Sequence, residues 1–226
     1  MRLIQWDKLD TRMKNTYVEE AYNHLKNKSF TLLIKRLFDV MLSLILLILF
    51  FPIMIIIAFF VKINSKGPII FKQKRITQFY KEFTIYKFRT MVNNAENEGD
   101  LVTTKYDSRI TKVGKILRKI RFDEFPQLIN IFKGEMSFVG TRPEIPEMVS
   151  NYTDEMFITL LIPAGLTSRA SINFKEESQI IKEDAHSSYL NHILPEKMKY
   201  NIEYIKKMNI FEDIKIIFLT AINIFN

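Results

Sequence analysis

Residues 40–61 read VMLSLILLILFFPIMIIIAFFV, a run of 22 residues without a charge. As one straight helix this run would be about 33 Å long, enough to cross a hydrocarbon core of about 30 Å. Ser43 and Pro52 are the residues that interrupt its apolar character. Hydropathy alone therefore predicts a membrane helix, and an ordinary spanning helix is its simplest form.

Two features around this run favour a helix that enters one leaflet and returns. Pro52 removes a backbone hydrogen bond near the middle and favours a kink, which would leave two arms of about 15–18 Å each. Both flanks are basic, with Lys35 and Arg36 before the run and Lys62 and Lys66 after it. The positive-inside rule disfavours moving either flank across the membrane. We therefore expect a re-entrant helix kinked at Pro52, with the spanning helix as the alternative.

Composition and charge restrict the class of partner. A chain of 226 residues fits one domain, or one domain with an appendage. It has no cysteine, which excludes a disulfide framework and a thiolate metal site. Residues 62–133 carry 16 Lys and Arg against 7 Asp and Glu, a net charge of +9. This basic region predicts an anionic partner: nucleic acid, lipid headgroups or a phosphorylated small molecule.

An acidic pair, Asp123 and Glu124, lies inside this basic region and is followed by Phe-Pro-Gln-Leu. Proline is favoured at the first position of a helix and glycine just after the last, so Pro126 and Gly134 predict a helix from about 125 to 131. Carboxylates at a helix start are usually capping groups. The same position also suits an acid that works on a phosphate or binds a metal. From these residues alone, capping is the better interpretation.

The remaining pattern predicts an α+β protein that is mainly helical. Residues 69–74 and 83–88 alternate in part and predict a short β-pair, and residues 107–121 predict an amphipathic helix. Residues 91–105 predict a loop or frayed helix, and residues 163–165 a turn. The polar N-terminal residues predict an added helix over 17–28. Residues 211–225 predict a helix that packs on the core or lies in the membrane interface.

Six motifs occur in a fixed order along the chain. They are KRLFD at 35–39 before the proline-broken run, GPIIFKQ at 67–73, YKFRTM at 86–91, DEFPQL at 123–128, KGEMSFVGTRP at 133–143 and AGLT at 164–167. Each is weak alone, but together they resemble the bacterial sugar transferase family, the monotopic polyprenyl-phosphate phosphoglycosyl transferases. The resemblance covers about residues 33–220.

This resemblance implies a reaction and an architecture. A phospho-sugar would move from a UDP-sugar to undecaprenyl phosphate through an aspartyl phosphosugar intermediate, releasing UMP. This is the first membrane step of capsule, exopolysaccharide or O-antigen synthesis. The resemblance divides the chain into an N-terminal helical extension (1–32), a re-entrant membrane helix (33–66) and a compact catalytic domain with membrane-interface helices (67–226). It places the protein in the bacterial cytoplasmic (inner) membrane, in contact with its lipid, with the catalytic domain facing the cytosol. Downstream glycosyltransferases are possible partners, and nucleic acid is not expected.

The resemblance also assigns roles to residues. Asp123 would be the nucleophile, and Glu124 would hold Mg²⁺ against the diphosphate. A guanidinium group can bind two phosphate oxygens at once, so Arg142 and Arg118 are the expected phosphate contacts. We expect one of Lys87 and Arg89 to reach the site as well. The expected substrate-binding residues are Arg142, Arg118, Lys87, Arg89, Pro143, Thr167, Asn173 and Lys175.

Two departures from the family pattern leave questions open. Phe51 precedes Pro52 where many members have serine, and the tract after Thr167 differs from the family's, which leaves the sugar unnamed. Two other functions remain as alternatives: a catalytically silent, membrane-anchored interaction protein of the same fold, and a membrane-tethered nucleic-acid binder suggested by charge alone.

Overall fold

The computed structural model describes residues 1–93, 95, 107–174 and 185–225. The fold is mainly helical with small β-sheets, as the sequence predicted. The helices are α1 (Thr16–Asn27), α2 (Ser29–Asn64), α3 (Lys112–Lys119), α4 (Gln127–Lys133), α5 (Pro146–Val149), α6 (Arg169–Asn173), α7 (Ala185–Ser188), α8 (Leu194–Lys207) and α9 (Ile210–Phe225). The strands are β1 (Ile70–Thr77), β2 (Lys81–Phe88), β3 (Met136–Val139) and β4 (Ala164–Thr167).

Helix α2 continues through Pro52 as a single element of 36 residues, about 54 Å long. It is long and apolar enough to cross a membrane, with a mean hydropathy of 3.3 over its most apolar window. The kink expected at Pro52 is therefore not confirmed. One face of the helix is buried in two places, from Leu32 to Ser43 and again at Ile57 and Val61. The opposite face is apolar and exposed.

Both ends of α2 are attached to the same folded unit. Near its start, the Arg36 guanidinium donates to the carbonyls of Ile131 and Phe132 at 2.7 and 2.8 Å. At its end, the Asn64 side chain accepts from the Val113 amide at 3.3 Å. The helix thus lies alongside the rest of the protein and does not project away from it.

The predicted β-pair is confirmed and is slightly longer than expected. Strands β1 and β2 are antiparallel, with register from Ile70↔Phe88 to Thr77↔Lys81. A second pair, β3 and β4, is parallel and was not predicted. The turn expected at 163–165 is wrong from residue 164 onwards, because Ala164 and Gly165 belong to β4. Here a Cβ on Gly165 would lie 2.2 Å from the Gly140 amide nitrogen, so the close approach requires glycine.

The N-terminal residues pack into the main hydrophobic core. Leu9, Met13, Val18 and Leu25 are all buried there, together with residues of α8 and of the 3-10 turn Met156–Leu161. The ring of His24 and the ammonium of Lys28 also bond the carbonyl of Lys206 at the end of α8. Residues before α2 therefore help to form the same core as the rest of the chain.

Candidate active site

The acidic pair lies in a 3-10 turn, Phe122–Glu124, between α3 and α4. Helix α4 begins at Gln127, two residues later than expected, and ends at Lys133, and Gly134, with a φ of 89°, is the predicted C-cap. Arg121 enters the turn in the left-handed region, at φ 60°. Asp123 and Glu124 are only 7% and 8% exposed, so both are far more buried than surface capping groups would be.

Two cations converge on one oxygen of Glu124. The Arg142 guanidinium donates to Glu124 Oε1 at 2.6 Å, and the Lys87 ammonium donates to the same atom at 3.0 Å. Lys87 comes from β2, and Arg142 follows β3, so the site joins both sheets to the turn. Asp123 Oδ1, in contrast, is buried without a hydrogen-bond partner.

This arrangement separates the two acids electrostatically. Burial, reinforced by the neighbouring Glu124 charge, raises the pKa of Asp123 to about 6. Burial alone would also raise the pKa of Glu124, but Arg142 and Lys87 outweigh it and lower that pKa well below its usual range. Burial lowers the pKa of the Lys87 ammonium, and Glu124 opposes that shift. The low pKa of Glu124 therefore favours its charged form, whereas the pKa of Asp123 lies at about 6.

A close contact between α3 and Thr90 holds Arg118 beside the acidic pair. A Cβ on Gly114 would lie 2.0 Å from the Thr90 carbonyl oxygen, so glycine allows α3 to approach Thr90. One turn later, Arg118 Nε donates to Thr90 Oγ1 at 2.9 Å. Its charge acts on Asp123 and Glu124. The sequence predicted Arg118 at the site but not Thr90, which becomes its partner only through this long-range packing.

Arg89 takes a different direction from Lys87. Strand β2 ends at Phe88, and the Arg89 guanidinium donates to the carbonyl and hydroxyl of Ser65 at 2.7 and 2.9 Å. Ser65 follows α2, so Arg89 secures the end of that helix. Of the two candidates, Lys87 is the one that contacts the acidic pair.

The other predicted contacts are distributed around the site. The Pro143 carbonyl accepts from Arg75 at 3.1 Å, next to Arg142. The Thr167 hydroxyl bonds that of Thr220 in α9 at 2.6 Å. Asn173 is exposed at the end of α6, and Lys175 lies outside the described residues.

Sequence reasoning missed Arg121, whose positive charge lowers the pKa of both acids. It also missed two aromatic contacts beside the pair. The ring of Phe125 stacks on Phe50 of α2, with centroids 4.7 Å apart, and on Phe122, with centroids 4.4 Å apart. The basic composition of the region signalled Arg121 in principle, but no sequence pattern pairs Phe50 with Phe125.

Comparison of the sequence with known proteins shows the family to which the chain belongs. A model of the bacterial sugar transferase family matches residues 30–226. The chain belongs to the bacterial sugar transferase family.

Several curated bacterial sugar transferases and phosphotransferases resemble the chain. A UDP-N-acetylgalactosamine-undecaprenyl-phosphate N-acetylgalactosaminephosphotransferase of Aeromonas hydrophila is 34% identical over 83% of this chain and 42% of its own length. A UDP-glucose:undecaprenyl-phosphate glucose-1-phosphate transferase of Klebsiella pneumoniae is 36% identical over 83% of this chain and 39% of its own. The uncharacterized sugar transferase EpsL of Bacillus subtilis is 32% identical over 84% of this chain and 86% of its own. The chain thus spans about two-fifths of the first two relatives and most of the third.

The carboxylates of the acidic turn fit the Mg²⁺ that the resemblance implies. Among the described residues there is no cluster of three or more acidic, histidine or cysteine side chains. Mg²⁺ commonly needs fewer protein ligands, because it takes one or two carboxylates and completes its shell with substrate phosphates and water. Glu124, and the unpartnered Oδ1 of Asp123, supply such carboxylate oxygens.

Proposed function

We propose that this chain is a phosphoglycosyl transferase that moves a phospho-sugar from a UDP-sugar to undecaprenyl phosphate. The observation that carries the proposal is the buried acidic turn. Asp123 keeps an unpartnered oxygen, while Arg142 and Lys87 hold Glu124 in its charged form. Membership of the bacterial sugar transferase family supports the reaction class, and the relatives' names supply the donor and acceptor.

In the first step an oxygen of the Asp123 carboxylate attacks the β-phosphorus of the UDP-sugar. The new oxygen–phosphorus bond forms as the bond between the β-phosphorus and the bridging oxygen breaks, and UMP leaves with that electron pair. The product is an acyl phosphate, a mixed anhydride between the Asp123 carboxylate and the phosphosugar. Arg142, Lys87 and Arg118 bring positive charge to the phosphates, which stabilises the charge that develops on the leaving group.

In the second step a phosphate oxygen of the lipid acceptor attacks the same phosphorus. The bond to Asp123 breaks, the carboxylate is restored, and the lipid diphosphate-sugar leaves. Splitting the transfer in this way turns one difficult displacement into two easier ones. The pKa of about 6 suits this cycle, because Asp123 is ionised at neutral pH and is also a better leaving group from that phosphorus than the sugar's anomeric oxygen.

Glu124 would hold the Mg²⁺, with Asp123 beside it. The ion would neutralise diphosphate charge that otherwise repels the attacking carboxylate. Arg142 and Lys87 already share Glu124 Oε1, so we expect these two cations to turn towards the substrate phosphates when the donor binds.

We further propose that the protein sits on one side of the bacterial inner membrane, with the acidic pair on the cytosolic side. The attachments of Arg36 and Asn64 hold both ends of α2 on one folded unit, and Phe50 attaches its middle. A spanning helix would carry one of those ends, with its polar partners, to the opposite surface. The exposed face of α2 and that of α9, which includes Phe211 and Phe218, would enter the lipid. The UDP-sugar and the acceptor's phosphate then meet at the headgroup level.

A screen for UMP release tests the function. Purified protein in detergent is incubated with undecaprenyl phosphate, Mg²⁺ and each UDP-sugar of a panel. We expect UMP with at least one donor and none without protein, and the active donor identifies the sugar. If no donor gives UMP although the protein is folded, the silent interaction protein of the same fold becomes the better interpretation.

A further inference from the structure

An apolar track leads away from the acidic pair along one side of α4. It consists of Phe122, Phe125, Ile129 and Phe132. Ile129 and Phe132 are three residues apart on one face of α4, and Phe125 precedes that helix by two residues. Phe122 and Phe125 are half-buried, and exposure rises to 36% at Ile129 and 42% at Phe132. The track therefore starts beside Asp123 and becomes more open with distance from it.

Helix α2 forms one side of this track. The contact of Phe50 with Phe125 fixes the start of α4, and the bonds from Arg36 to the carbonyls of Ile131 and Phe132 fix its end. Position 50 thus lies against 125 and position 36 against 132, so the two helices run in opposite directions. Between these contacts α2 also exposes the apolar side chains of Leu37 and Leu44, which lie within about 100° of Arg36 around the helix axis, so the apolar surface of the track continues around α2 towards the lipid.

We infer that this track binds the isoprenoid chain of the lipid acceptor, beginning with the unit attached to its phosphate. The inference rests on the proposed function. In the second step the acceptor phosphate must reach the phosphorus carried by Asp123, so the first isoprene unit must lie close to the acidic turn, which begins at Phe122. A chain leaving that point needs an apolar path into the membrane, and the track joins the acidic pair to the exposed face of α2. Arg142 and Lys87 lie at the phosphate end of this path, which matches the charge distribution of a polyprenyl phosphate.

The two half-reactions separate chain binding from any effect on the nucleophile. UMP release in a single turnover without acceptor reports donor binding and attack by Asp123. Discharge of the phosphosugar enzyme by acceptor reports the second step. For Phe132→Ala and Phe125→Leu we expect the KM for undecaprenyl phosphate to rise roughly two- to tenfold, while single-turnover UMP release changes by less than twofold. Phe59→Leu is the matched control, because Phe59 is an exposed aromatic of α2 that pairs edge-on with Phe60.

Acceptor length adds a second readout. With an acceptor of two isoprene units, such as geranyl phosphate, Phe125→Leu should still raise the KM, whereas Phe132→Ala should lose its effect because a short chain does not reach it. Equal losses in both half-reactions would mean that these residues only position Asp123 and would overturn the inference. Unchanged acceptor KM values, or an equal effect in Phe59→Leu, would also overturn it, the latter by indicating general lipid contact. If the wild type released no UMP with any donor, the proposed function itself would be wrong. That result is distinguishable from failure of the track alone, in which the wild type is active and the variants do not change the acceptor KM.

Discussion

At the scale of single residues, the acidic pair shows how two adjacent carboxylates acquire different properties. Asp123 and Glu124 share one turn and nearly the same burial. Arg142 and Lys87 both reach Glu124, while Asp123 keeps a buried oxygen without a partner. A buried, incompletely paired charge costs folding free energy, and such costs are typical of functional groups.

That cost predicts a stabilising effect of removing the nucleophile. The pKa of Asp123 is raised from 3.8 to about 6 in the folded protein, so the native state binds this proton more tightly and the contribution of Asp123 to stability falls as pH rises from about 4 through 6. Asp123→Asn removes this penalty. We expect its free energy of unfolding to exceed the wild type's by about 1–3 kcal/mol at pH 8 and by almost nothing at pH 4.

Denaturant titrations at both pH values measure this difference. Asp10→Asn is the control of opposite sign, because a hydrogen bond from Arg12 lowers the pKa of Asp10 and its replacement should not stabilise the protein. A less stable Asp123→Asn at pH 8 would contradict the assignment of a raised pKa.

The Arg142 guanidinium makes a second residue-scale prediction. Lysine at this position keeps the charge but cannot bind two oxygens in one plane. We expect Arg142→Lys to raise the KM for the UDP-sugar roughly tenfold, with the protein still folded. Arg12→Lys is a suitable control, since Arg12 stacks on Tyr80 at the far end of the β1–β2 hairpin from Lys87. Equal KM values for the two variants would argue against a phosphate contact by Arg142.

At the scale of elements, the fold was predictable where the periodicity was strong or a motif was present. The long apolar helix, the β1–β2 pair and the C-cap at Gly134 all follow from local patterns. Strands β3 and β4 did not, because each has four residues and β3 is buried at every position, which removes the alternation that identifies a strand. The contact between Phe50 and Phe125 also could not be predicted from the sequence, since it joins residues far apart in the chain.

Helix α2 carries the topology prediction. Because both of its ends attach to one folded unit, Lys28 before it and Lys81 after it should lie on the same side of the membrane. The chain has no cysteine, so Lys28→Cys and Lys81→Cys each introduce a single labelling site. We expect both to be protected from an impermeant thiol reagent in intact cells and both to be labelled after lysis. Labelling of only one of the two cysteines in intact cells would favour the spanning helix.

At the scale of the whole molecule, the chain forms a core that includes residues the family model leaves out. The match begins at residue 30, yet the residues before it contribute Val18 and Leu25 to the main core. The sequence indicated only a polar extension there, because the apolar positions of α1 are few. Their partners lie in distant segments, which a single sequence does not reveal.

This packing predicts that the N-terminal helix supports the stability of the whole protein. Leu25 is fully buried, whereas Tyr17 on the same helix is 53% exposed. Leu25→Ala should lower the free energy of unfolding by about 2–5 kcal/mol, because it removes buried methyl groups and leaves a cavity. Tyr17→Ala should change it by about 0.5 kcal/mol or less. A small effect of Leu25→Ala in the same denaturant titration would show that the segment is a dispensable addition.

The proposed reaction depends on Asp123 as a covalent nucleophile. The most direct test is intact-protein mass spectrometry after incubation with Mg²⁺ and the active UDP-sugar, without acceptor, followed by peptide mapping. We expect a mass increase of one phosphosugar on the peptide that contains Asp123, its loss when undecaprenyl phosphate is added, and no adduct in Asp123→Asn. Full turnover by Asp123→Asn, or an adduct on another residue, would contradict the proposed reaction.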